Sequence, residues 1–283
     1  PRPPKPKVGW RSVSTTDILK WNGKYYLYYQ SFMEASGKRG DYCPVAVSYA
    51  DSPDGPWTRI NKPVIQLGGK DEWDEGAIHD PFPLVYRGKI WLFYKGQPRL
   101  NAENNWLIRA QGVAIADHPL GSYIKHEMNP LINSGHETCL FPWEEGLAAI
   151  VTFDGPEKNT IQYAPDGINY IVKAAIQSPP IAPGPYIPDA FSDNGDGKGI
   201  RWGLCHMNNM VLAPPDNYRR LICTGSYLAR FDCDLDREVD LHYFKNSRDQ
   251  MGRFQEETYL HPKRILEDHV KKQILEEQLK ARD

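Results

Sequence analysis

One unit of sequence recurs along this chain, and the recurrence leaves few folds open. It is clearest over 78–95, where a polar loop ending in Asp80 leads into an apolar strand, an Arg87-Gly88 turn and an aromatic strand. Pro81 and Pro83 exclude a helix interior, while Leu84, Val85, Ile90, Leu92 and Phe93 suit a pleated, half-buried surface. A hairpin of this kind, then a strand, a Gly-bearing turn and a further strand, occupies 17–60. The order returns over 80–124 and again over 137–172. The hairpin glycines Gly23, Gly88 and Gly146 are 65 and 58 residues apart. Four-stranded units at such spacing predict the blades of a β-propeller, in which each blade buries its faces against its neighbours. A β-sandwich would show shorter and less self-similar spacing.

A fourth unit is less regular. Asp189-Ala190-Phe191 opens it, the turn at 193–199 follows, and strands are expected over 200–206 and 227–232. Beyond about Lys263, the spacing of Ile265, Leu266, Val270, Ile274, Leu275 and Leu279 predicts a helix that either packs on the propeller or mediates self-association. The expected division is therefore a propeller over 1–262 and a C-terminal helix over 263–283.

A net charge of -2 over 283 residues gives no basic face for nucleic acid or an anionic membrane, and no apolar run reaches membrane-spanning length. Sixteen Tyr and eight Trp suit flat apolar ligands such as sugar rings, although core packing accounts for most of them. Five cysteines without C-x-x-C spacing indicate free thiols and no zinc site. The compartment is left open.

In a propeller the first strand of each blade lines the axis, so residues heading successive units converge from distant parts of the sequence. Those residues are expected to be Asp17, Asp80 and Glu137, with His79 and His136 beside the last two. Carboxylates crowded with imidazoles divide into proton donors and acceptors, the requirement for glycoside cleavage. Singly, an Asp before a strand is more often a turn residue; three at matching positions favour a site.

His79-Asp80-Pro81, the stretch 135–143 beginning Gly135-His136-Glu137, the stretch 159–167 and Ile187-Pro188-Asp189-Ala190-Phe191 together resemble glycoside hydrolase family 117. These are the α-1,3-neoagarooligosaccharide (neoagarobiose) hydrolases, five-bladed propellers related to family 43. The resemblance runs from about Arg11 to Asp234, so about four blades are legible and a further blade is expected upstream. It implies exo-cleavage that releases 3,6-anhydro-L-galactose with inversion. His136 would be the general acid, with Asp80 and Glu137 completing the catalytic group. Asp17, Thr16, Gln30, His79 and Asp189 would contact sugar. No cofactor is required, a hydrated divalent cation (Mg or Ca) near the axis has family precedent, and a homodimer is implied. The family's water-activating Asp belongs to the upstream blade. Two other readings stay open: a furanosidase-type enzyme acting on another plant or algal glycan, and a propeller that binds sugar without cutting it.

Overall fold

The computed structural model describes residues 12–32, 44–98, 109–152, 155–176, 181–186, 198–200, 202–212 and 221–232. Within them the chain is all-β. Strands β1 (Ser12–Trp21), β2 (Lys24–Phe32), β3 (Val45–Ala50) and β4 (Thr58–Arg59) form one antiparallel sheet in sequential order. The pattern repeats in β5 (Ala77–Tyr86), β6 (Lys89–Gln97), β7 (Ala110–Ala116) and β8 (Ile124–Lys125). It repeats again in β9 (Glu137–Trp143), β10 (Gly146–Thr152), β11 (Thr160–Ala164) and β12 (Ile171–Ala175). A fourth sheet holds β13 (Ile181–Tyr186), β14 (Trp202–Leu212) and β15 (Leu221–Asp232). The first strands follow one another in space: β1 packs against β5, β5 against β9, and β9 against β13. These are four legible blades of a β-propeller.

Strand alternation builds the ring, because neighbouring residues of one strand point to opposite faces. Along β6, Ile90, Leu92 and Tyr94 pack against Leu19, Tyr26 and Tyr28 of the preceding blade. Trp91 and Phe93 pack against Leu140, Leu147, Ala149 and Val151 of the following one. The third blade does the same, with Ala148 and Ile150 meeting Ile200 and Phe231. The second and third blades are thus apolar on both faces, which explains why their second strands read as nearly unbroken apolar runs.

The hairpins turn at Asn22-Gly23 and Arg87-Gly88, where both central residues have positive φ (46° and 73°; 51° and 71°). That is the type I′ geometry whose twist matches flanking strands. The prolines of β5, β9 and β13 sit on strands bonded on one side only, where a missing N–H donor is tolerated.

The structure corrects one expectation about the fourth blade. Its first strand is β13, which precedes Asp189 in the chain, so that acid does not head the blade as Asp80 heads the second. Asp189, the turn at 193–197 and the C-terminal helix lie outside the described residues.

Candidate active site

Three of the first strands, β1, β5 and β13, carry a bulge, and in β1 and β5 it sits among polar residues. In β5, His79 pairs with Lys95 and Phe82 with Phe93, so three steps on one strand face two on the other. In β1, Ser14 pairs with Gln30 and Asp17 with Tyr28, the same mismatch. The extra residue bends the strand and re-aims side chains. At each bulge one non-glycine residue takes a left-handed conformation: Asp80 at φ 49°, Thr15 at φ 44° and Ala182 at φ 46°. This register fixes which residues correspond. Thr15, not Asp17, is the counterpart of Asp80; Asp17 occupies the place that Phe82 holds in the next blade. In the third blade Glu137 pairs with Thr152, as His79 does with Lys95. The expectation that one acid heads every blade at the same position is therefore replaced by three different residue types: Thr15, Asp80 and the His136-Glu137 pair.

The second and third blades bring their polar residues together. Lys95, only 4% exposed, forms an ion pair with the Asp80 carboxylate and donates from Nζ to the His136 carbonyl at 3.1 Å. His136 Nδ1 lies 3.3 Å from Glu137 Oε1. Gln111 Nε2 donates to the Gly135 carbonyl at 2.5 Å, and Thr152 Oγ1 donates to the Glu137 carbonyl at 2.6 Å. Gly135 must be glycine for two reasons. Its φ is +96°, and a Cβ there would come within 2.1 Å of Thr138 Oγ1.

The electrostatics follow from this packing. Burial, then the charges of Lys95 and Arg109, hold the His136 imidazole down at about 4, against the opposing pull of Asp80. His79 is lowered to about 4 by burial first and Lys95 second, again opposed by Asp80. Both imidazoles are therefore mostly neutral at pH 7. Asp17 behaves oppositely: burial lifts its carboxyl to about 7, with the Ile18 N–H at 2.7 Å pulling the other way. It lies on the face of β1 that carries buried Leu19, a place the next blade fills with Phe82.

The first blade offers neutral groups where the second offers charged ones. Thr15 Oγ1 donates to Gln30 Oε1, and Gln30 is buried. Thr16 is exposed beside it. Of the residues expected from sequence, His79, Asp80, His136 and Glu137 form one cluster. Thr16, Asp17 and Gln30 lie at the corresponding end of the neighbouring blade, which packs on the second through β1 and β5. Lys95 and Arg109 belong to the cluster and were not anticipated. The available signal was a lysine closing an otherwise apolar strand. Among the described residues, no group of three or more His, Cys, Asp or Glu is arranged to hold a metal ion. No described helix is long and apolar enough to cross a membrane.

Comparison with known proteins bears on the fold and the family. The family model for glycosyl hydrolases family 43 matches residues 10–111. A glycosyl hydrolase from Bacteroides ovatus superposes with a TM-score of 0.54 at 14% identity, covering 81% of this chain and 70% of that one. Fructan 1-exohydrolase IIa from Cichorium intybus gives the same score and identity over 83% and 44%. At that identity these two establish the fold alone. Zg3597, a family 117 glycoside hydrolase from the marine bacterium Zobellia galactanivorans, is 52% identical, with a TM-score of 0.68 over 87% of this chain and 68% of that one. Comparison with curated proteins gives no match. The shared fold and the 52% identity to Zg3597 define a β-propeller glycoside hydrolase acting on an oligosaccharide. More narrowly, the chain belongs to glycoside hydrolase family 117.

Proposed function

We propose that this protein is an exo-acting hydrolase of neoagarooligosaccharides, cleaving the terminal α-1,3 bond to release 3,6-anhydro-L-galactose with inversion. The observation that carries the reading is His136 packed between Glu137 and the Lys95–Asp80 ion pair, within a family 117 chain. His136 is the general acid. Nδ1 faces Glu137, and in this reading Nε2 gives its proton to the glycosidic oxygen. As the bond from that oxygen to the anomeric carbon breaks, its electron pair stays on the oxygen. Water adds to the carbon from the opposite face and loses its proton to a carboxylate. The negative charges of Glu137 and Asp80 stabilise the imidazolium before transfer.

Thr16, Asp17, Gln30 and His79 bind sugar hydroxyls in this reading, and Asp189 joins them. Asp17 keeps its proton up to about pH 7 and so can donate as well as accept. The deciding experiment is incubation with neoagarobiose, following anhydrogalactose release. Activity in the native sequence, lost in His136→Ala and in Asp80→Ala, is the expected result. Full activity in both variants would remove the assignment. Binding of neoagarobiose by calorimetry without product would leave a sugar-binding propeller.

A further inference from the structure

The second strands of the first three blades end alike. Counting six residues from where β2, β6 and β10 begin gives Gln30, Lys95 and Thr152. Each stands opposite the inner end of its own first strand, against Ser14, His79 and Glu137. Each also bonds back to that strand. Gln30 accepts from Thr15, Lys95 pairs with Asp80, and Thr152 donates to the Glu137 carbonyl. Alternation turns Lys95 to the same face as Trp91 and Phe93, the face that packs on the third blade. Its ammonium accordingly has a second acceptor there, the His136 carbonyl at 3.1 Å.

We infer that Lys95 is the positioning residue of this site: its ammonium ties the Asp80 carboxylate of one blade to the His136 backbone of the next and so sets their separation. Two arguments support it. A lysine 4% exposed is rare unless fully partnered, and here both partners belong to the site. The bulge itself sets Asp80 at φ 49°, as it sets Thr15 at 44° without a lysine, so what Lys95 holds is the carboxylate and not the backbone. The corresponding pair in the first blade, Thr15 with Gln30, is uncharged, so a propeller strand of this kind closes without an ion pair. The lysine therefore serves the charged cluster rather than the hairpin.

This inference rests on the proposed hydrolase reading for its kinetic half and stands apart from it for its spectroscopic half. Lys95→Gln places the first blade's residue in the second. Corrected for the protonated fraction of His136 at the assay pH, the expected fall in kcat on neoagarobiose is about a hundredfold with KM within about threefold, the signature of reacting groups displaced by an ångström. The groups facing the His136 imidazole are His79 and Asp80 from β5, Lys95 from β6, Arg109 before β7, and adjacent Glu137. Loss of one cation among them should raise the His136 NMR titration midpoint from about 4 toward the ordinary imidazole range. Lys95→Arg, which keeps charge and donors, should return that midpoint close to the native value.

A folded Lys95→Gln protein with native kcat and an unmoved midpoint overturns the inference. So does a lowered kcat with an unmoved midpoint, which would make the lysine merely structural. Should Lys95→Gln fail to fold, Lys95→Met, which keeps the hydrocarbon stem, is judged on the same criteria. If the native protein does not cleave neoagarobiose, the proposed function fails while the titration, which needs no substrate, still decides the role of Lys95.

Discussion

On the proposed mechanism an imidazole held at about 4 must donate a proton, which makes the pH dependence of the reaction its most exposed property. With that midpoint only about one His136 in a thousand carries the second proton at pH 7, and about one in ten does at pH 5. Because kcat/KM reports ionisations of the free enzyme, it should climb about tenfold per unit as pH falls from 7 to 5, roughly a hundredfold in all. The assay is initial-rate release of anhydrogalactose from neoagarobiose well below KM, at constant ionic strength because exposed charges are screened by salt. Asp80 is the one charge among the causes that lifts His136. Asp80→Asn should therefore move the whole rise to lower pH besides reducing the rate. Asp17 also changes charge near pH 7, so the measurement is repeated in Asp17→Asn, where the slope should persist. A profile flat between pH 7 and 5, or rising toward alkaline pH, would refute His136 as the acid and shift proton donation to another group.

Two further expectations concern stability and the loop that carries the acid. Asp17 titrates at about 7 in the folded chain and near 3.8 when unfolded, so the folded chain holds the extra proton between those values. Its contribution is full below that window and is lost as pH rises through it. Allowing for partial exposure the loss is on the order of 2 kcal/mol, and Asp17→Asn should abolish that part of the fall in urea midpoint between pH 5 and 7.5. His79 acts with the opposite sign: held at about 4, it makes stability decline as pH drops from 6.5 toward 4. Gly135→Ala forces a Cβ to within 2.1 Å of Thr138 Oγ1 and 2.9 Å of Val151 Cγ1 at a φ of +96°. It should cost about 1–3 kcal/mol in urea denaturation and at least about tenfold in activity, since His136 must move with the loop. Native stability and rate in that variant would mean the loop does not position the acid.

What was legible in the sequence and what was not divides along a physical line. The hairpins were legible because their information is local: Asn22-Gly23 and Arg87-Gly88 demand left-handed φ, and the strands on either side alternate or run apolar. β13 was missed because Pro183 and Pro185 argue against a strand. An edge position, bonded only to β14, removes that objection, but edge or centre is a property of the sheet and not of the segment. The His79-Asp80 and His136-Glu137 pairs were legible as motifs, whereas the pairing of Asp17 with Asp80 was misjudged. A bulge adds one residue without a sequence mark, and one residue in a strand exchanges the two faces. Counting from the hairpin rather than from the acid avoids the error, since Gln30, Lys95 and Thr152 then align without gaps. The same counting exposes Lys95. A lysine closing an apolar strand is ordinary at an exposed end, but in a second strand covered on both faces it must meet polar partners from its own blade and the next. Those partners are Asp80 of its own blade and His136 of the next, so packing of these two blades and assembly of the charged cluster are a single event. Folding the second blade against the third brings the two together.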